Sequence, residues 1–123
     1  MTANSKAMNE ARRSEQTSLI ARSQRLLGSI LAAQGQRDQA DIYFEQAIQV
    51  FHDSGMRLEW ARALQSYGVA LLQRDGAGVA SYQQGLSYLQ EARQAFHQCN
   101  AVLDLQAVER VLDAQNRTEK GVS

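Results

Sequence analysis

At 123 residues, with 44% hydrophobic and 21% charged content, the chain has room for one globular domain of four or five helices. Thirteen basic residues balance thirteen acidic ones, so no overall field draws the protein to nucleic acid or to an anionic membrane, and neither is expected as a partner. With no proline, a single cysteine and two histidines far apart, the composition favours an all-α fold without an internal disulfide, metal or cofactor.

The first fourteen residues are polar, and residues 1–20 hold no apolar run of the length a signal peptide needs. No stretch approaches the roughly 18 apolar residues of a membrane span, so a reducing, cytoplasmic setting is expected. Ala7, Met8, Ala11, Leu19, Ile20, Leu26, Leu27, Ile30 and Leu31 recur at three- and four-residue steps. That period predicts an amphipathic helix, clearest over residues 15–34. Gly35 can end it in the left-handed conformation, and Asp38 is the expected cap of the next helix. From 39 to 53, Ala40, Tyr43, Phe44, Ala47, Ile48 and Phe51 form one apolar face, closed by Ser54 and Gly55. A third helix over 57–73 turns Leu58, Ala61, Leu64, Tyr67, Gly68, Leu71 and Leu72 inward. Residues 75–78, with two glycines, read as a loop. A fourth helix from about Val79 to Gln98 carries Tyr82, Leu86, Leu89, Ala92, Arg93 and Phe96. A fifth, over 102–114, buries Leu105, Val108, Val111 and Leu112 and offers Asp104, Glu109, Arg110 and Asp113 to water. Residues 117–123 are a polar, flexible tail.

The chain repeats itself. Tyr43-Phe44-Glu45-Gln46-Ala47 through Phe51-His52 returns forty-five residues later as Tyr88-Leu89-Gln90-Glu91-Ala92 through Phe96-His97, and Arg57-Leu58-Glu59-Trp60 returns as Val102-Leu103-Asp104-Leu105. The first helices repeat at forty: Ala21-Arg22 with Ala61-Arg62, Leu27-Gly28 with Tyr67-Gly68, Leu31 with Leu71. The difference is a five-residue insertion between Leu72 and Gln84, expected to lengthen the second hairpin by about a turn. Ala7-Met8 and Ser14 fall forty residues before Ala47-Ile48 and Ser54. Residues 1–14 are therefore either a polar extension of the first helix or the remnant of an earlier repeat's second helix.

A large residue followed by a small one in the first helix (Leu27-Gly28, Tyr67-Gly68), then small, bulky and alanine in the second (Ala40, Phe44, Ala47; Gly85, Leu89, Ala92), is the packing signature of helical hairpins. In these residues the chain resembles the tetratricopeptide repeat family, in the forty-residue form found in bacterial regulators and signalling ATPases. The resemblance covers residues 21–114, within a repeat domain over 15–116. It departs from the family in lacking the helix-ending proline and in placing Gln24 where a large aromatic is usual. It implies two antiparallel hairpins and a closing helix stacked as a short α-solenoid. It also implies a non-enzymatic module that binds a protein or peptide partner within a regulatory or signalling protein. The groove of such a module would be lined here by Arg22, Arg25, Ser29, Arg62, Gln65, Val69 and Gln73. Three arginines on one strip favour an acidic ligand, or else pair with glutamates of neighbouring helices. The rival reading is a self-assembling helical unit, its groove filled by its own chain. Because the closing helix covers only one end of so short a stack, a homodimer through the N-terminal end is expected.

His52 and His97 occupy equivalent helix ends and are read as structural rather than catalytic. Cys99, also at a helix end, lacks the setting of a reactive thiol. The stretch 76–78 lacks the Gly-Lys-Ser/Thr of a phosphate-binding loop. Tyr43, Trp60 and Tyr88 are read as core.

Overall fold

The computed structural model describes residues 3–76 and 78–122, with side chains over 5–76 and 78–117. The described residues form five helices: α1 (Ala3–Ala33), α2 (Arg37–Asp53), α3 (Arg57–Leu72), α4 (Gly78–Gln98) and α5 (Val102–Val122). Three of the four connections share one geometry. Gly35, Gly55 and Asn100 take left-handed φ angles of 79°, 68° and 56°. Each donates its amide three residues back, to the carbonyls of Ala32, His52 and His97. The next residue donates five back, from Gln36 to Leu31, Met56 to Phe51 and Ala101 to Phe96. Together these bonds satisfy the last carbonyls of the outgoing helix in a Schellman turn. The incoming helix starts at once, since Gln36, Met56 and Ala101 accept its first backbone bonds from Ala40, Trp60 and Leu105. Gln36, and not Asp38, is therefore the N-cap of α2, and it makes no side-chain capping bond. Asp38 falls inside the first turn, where its charge still faces the positive end of the helix.

The fourth connection, between α3 and α4, is the odd one. Gly76 and Gly78 have φ angles of 68° and 84°, and α4 begins at Gly78, four residues before the position equivalent to the start of α2. The insertion thus adds one turn to the second hairpin, and of its expected loop Ala77 lies outside the described residues.

Short turns make successive helices antiparallel. α1 packs on α2 and α3 on α4, α2 contacts α3, α4 contacts α5, and α1, α3 and α5 lie side by side. Three apolar clusters hold the stack. Ala21, Ala47, Phe51 and Ala63 join the first hairpin to α3. Ala40, Phe44, Tyr67, Ala70 and Leu71 continue the join. Ala61, Leu64, Leu89, Ala92, Ala95, Phe96 and Val108 close the second hairpin under α5. Ile48 packs against all three. Phe44 stacks on Tyr67 at 4.9 Å between ring centroids, and Tyr67 lies 5.4 Å from Tyr88, so aromatic packing runs from α2 through α3 to α4.

The structure decides some open readings and corrects others. Residues 3–14 run on into α1, as in the first of the two readings of that segment, and side chains 5–16 are all exposed. α5 runs to Val122, beyond its expected end near 114, and Ser123 lies outside the described residues. Arg93 points outward and pairs with Glu109 at 3.5 Å. In α5 Val108 is buried, whereas Leu105, Val111 and Leu112 are half-buried because only one flank of the helix is covered. Of the expected packing residues, Gly28, Ala40, Phe44, Ala47, Tyr67, Gly68, Gly85, Leu89 and Ala92 are buried, but Leu27 is 40% exposed. Its equivalent Tyr67 is covered by the preceding α2; no described helix precedes α1.

Candidate interaction surface

The seven residues expected to line a groove do lie together, along a cleft between α1 and α3. Arg22, Arg25, Ser29, Arg62 and Gln65, with Leu26 and Ser66, line one cavity of about 490 Å³. Ser29 and Ser66 also border a second, of about 420 Å³, which continues past Val69 and Gln73 to Arg37, Arg74 and Asp75. The cleft follows from helix spacing: positions 22, 25 and 29 share one face of α1, as 62, 65, 69 and 73 share one face of α3 and its end.

The arginines are held. Glu59, at the start of α3 with its side chain 14% exposed, receives Arg22 Nε and Arg25 Nη1 on one carboxylate oxygen, both at 3.5 Å. Its other oxygen accepts Arg62 Nη1 at 2.7 Å. Arg62 also makes a two-pronged contact with Asp104 of α5, Nε to Oδ1 at 3.2 Å and Nη2 to Oδ2 at 3.1 Å. Asp104 was expected on the wet outer face of α5. It turns inward instead because α5 lies beside α3, within reach of a guanidinium fork that matches a carboxylate.

The contacts set the charge states. Burial is the largest influence on Arg25 and lowers its pKa below the usual arginine value; Glu59 opposes this, while Arg62 and Arg22 add to it. For Arg62 the hydrogen bonds to Asp104 dominate and raise the pKa, against the effect of burial. Both guanidinium groups stay charged. Three cations and two carboxylates leave the cluster with a net positive charge, and Arg22, whose side chain is 53% exposed, approaches Glu59 with Nε at 3.5 Å. Arg22 also lines the cleft, and a guanidinium carries five donors.

The pattern is periodic across the stack. Leu19, Glu59 and Asp104 occupy equivalent places in α1, α3 and α5. Each acid takes the arginine of the helix before it: Glu59 takes Arg22 and Arg25, and Asp104 takes Arg62. At α1 the series ends in a leucine.

A second polar group closes the far end of the cleft. Arg74 donates to both carboxylate oxygens of Asp41 across α3 and α2, and Arg37 donates to the Asp75 carbonyl. The Tyr67 hydroxyl beside Asp41 is pushed well above the usual tyrosine range, first by burial and then by that carboxylate. It remains protonated under all physiological conditions.

The remaining sequence candidates are dispersed. His52 and His97 lie in the last turns of α2 and α4, exposed. Cys99 is exposed in the turn after α4. Trp60 is half-buried against two core clusters with Arg57 over its ring at 5.6 Å. Among the described residues no group of three His, Cys, Asp or Glu side chains is placed to hold a metal, and no helix is long and apolar enough to cross a membrane. The sequence allows pairing with glutamates of neighbouring helices without singling out Glu59, and places Asp104 in water. The Glu59–Arg62 pair, three residues apart, can be seen along the chain, but the contacts of Glu59 with Arg22 and Arg25 and of Asp104 with Arg62 arise only when α1, α3 and α5 lie abreast. No protein-family model matches the chain, and no curated protein or solved structure matches it either.

Proposed function

We propose that the protein is a tetratricopeptide-like interaction module, a short α-solenoid of two hairpins and a closing helix. On this reading it performs no chemistry, and its cleft between α1 and α3 takes an extended acidic peptide of a partner protein. The observation that carries this is the cationic row of Arg22, Arg25 and Arg62 along one open cleft, preorganised by Glu59 and Asp104 yet left with an excess of positive charge. Carboxylates of the ligand would meet the spare donors of Arg22, with Gln65, Gln73, Ser29 and Ser66 supplying hydrogen bonds to its backbone. A role inside a bacterial regulatory or signalling protein accords with the family resembled. A reducing cytoplasmic setting accords with Cys99 standing alone and exposed.

The test is binding of fluorescent decapeptides by anisotropy. Acidic peptides should bind more tightly than neutral or basic ones, and weaken as salt rises. Arg22→Ala should cost about tenfold in affinity, the weight of a hydrogen bond to a charged group, without altering the thermal melt. Equal binding of acidic and basic peptides would refute the reading.

A further inference from the structure

α1 carries a second, apolar surface beside the cleft, with Leu26 on the border between the two. Met8, Leu19, Ile20, Leu26, Leu27 and Ile30 are between 40% and 62% exposed. Met8, Leu19, Leu26 and Ile30 follow one another at eleven, seven and four residues, close to three, two and one helical turns, so they form a single line with Ile20 and Leu27 on its flank. An almost wholly apolar notch between this strip and Tyr43 of α2 deepens it. The exposed part amounts to roughly 500 Å² of apolar surface, the size of the largest patches on soluble monomers.

The repeat says what kind of object fits there. The residues of α3 equivalent to Ile20, Leu27 and Ile30 are Trp60, Tyr67 and Ala70, and these pack against α2. The flank of Ile20, Leu27 and Ile30 is thus a helix-receiving face with no helix on it among the described residues, while Leu19 and Leu26, equivalent to Glu59 and Ser66, carry the apolar surface round toward the cleft. A further repeat of the same kind is a poor fit, because each such neighbour presents arginines and requires an acid where α3 has Glu59 and α5 has Asp104. α1 has Leu19 there, and the line from Leu19 to Ile30 carries no charge.

The line is symmetric about that leucine. Met8 and Ile30 stand eleven residues before and after Leu19, and Arg12 and Leu26 seven. We infer that two copies of the chain pair through α1 in antiparallel fashion about a two-fold axis at Leu19. Leu19 then meets its own counterpart, Met8 of each copy lies on Ile30 of the other, and the methylene stem of Arg12 lies along Leu26 with its charged head in water. This register gives the otherwise bare segment 5–16 a helix to lie on. Doubling the apolar strip, Met8 included, reaches about 1,000 Å² before the rest of that segment is counted, enough for a specific interface.

The surface meets the acidic-peptide cleft at Leu26, but sedimentation reads only the pairing and peptide anisotropy only the cleft, so the two readings fail separately. Sedimentation of the full chain at micromolar concentration should show twice the 13.7 kDa monomer mass, and Leu19→Glu should return it to the monomer with unchanged helical content. In a Cys99→Ser background, Leu19→Cys should form a disulfide-linked dimer under mild oxidation. Leu103→Cys, on a residue 81% exposed at the start of α5, should not. A monomeric parent chain overturns the inference and leaves the strip to a different protein. A dimer that survives Leu19→Glu, or equal cross-linking through Leu103→Cys, overturns it as well. Acidic-peptide binding that persists in monomeric Leu19→Glu supports an independent cleft.

Discussion

Gln24 donates from Nε2 to Gln46 Oε1 at 3.1 Å, but its own Oε1 is buried without a hydrogen-bond partner. The equivalent residue in the second hairpin is Leu64, buried in the core. An unsatisfied buried carbonyl costs about 1–3 kcal/mol, so Gln24→Leu should stabilise the fold by about 1 kcal/mol and raise the melting temperature by roughly 4 °C. Gln46 is exposed and turns to water at little cost. Glu59 presents the opposite case, since three guanidinium groups share its carboxylate. Glu59→Gln leaves Arg22 and the partly buried Arg25 without that counter-charge, while Arg62 keeps Asp104. It should cost about 1–3 kcal/mol in denaturant unfolding, a figure reduced by the exposure of Arg22 and Arg62. The same substitution frees positive charge into the cleft and should tighten acidic-peptide binding. A variant equally stable and equally avid would show that the glutamate neither orders the arginines nor competes with the ligand.

Helix against helix, the two hairpins are closed differently. In the first, a Cβ at Gly28 would meet the Phe44 ring at 3.0 Å; in the second, a Cβ at Gly85 would stand 2.9 Å from the backbone oxygen of Gly68. A ring can shift by a few tenths of an ångström, whereas a helix backbone moves only with its whole helix. Gly85→Ala should therefore destabilise by about 1–3 kcal/mol even though alanine is the better helix former by about 1 kcal/mol. Gly28→Leu and Ala47→Leu should do likewise, and unchanged melts for these variants would contradict the repeat register. Removing residues 76–80 shortens α4 by its extra turn, leaves Arg74 on Asp41, and should keep stability within about 1 kcal/mol. These pairings were legible in the sequence because small and bulky residues recur at forty and forty-five positions. The cap of α2 was not, because the Schellman turn at Gly35 starts the helix directly and leaves Asp38 one turn inside. The reach of α1 was legible only as one of two readings, since residues 5–16 contact no core and so show no strong apolar period. The arginine row could be read from its spacing, and so could the Glu59–Arg62 pair three residues apart, but not the reach of Glu59 to Arg22 and Arg25 or of Asp104 to Arg62, which crosses between helices.

Across the whole molecule, stability is concentrated where α3 is sandwiched and falls away toward both ends. Phe44, Phe51, Leu89, Phe96 and Val108 are fully buried around α3 and α4, while α1 over 5–16 is bare on every side. A helical segment of that length without tertiary contact is marginal in water. Amide hydrogen exchange should therefore grade the chain. Amides of α3 and of α4 over 85–96 should open only with global unfolding, and those of α2 nearly so. Those of α1 before residue 16 should depend on association. In a dimer paired through α1 their exchange slows as protein concentration rises, since pairing covers each arm with the partner's helix. In monomeric Leu19→Glu they should exchange at close to unstructured rates at every concentration, with α3 unchanged. Protection of residues 5–16 that is equally strong in the monomeric variant would mean that α1 is stable on its own, and the bare arm would then need no partner.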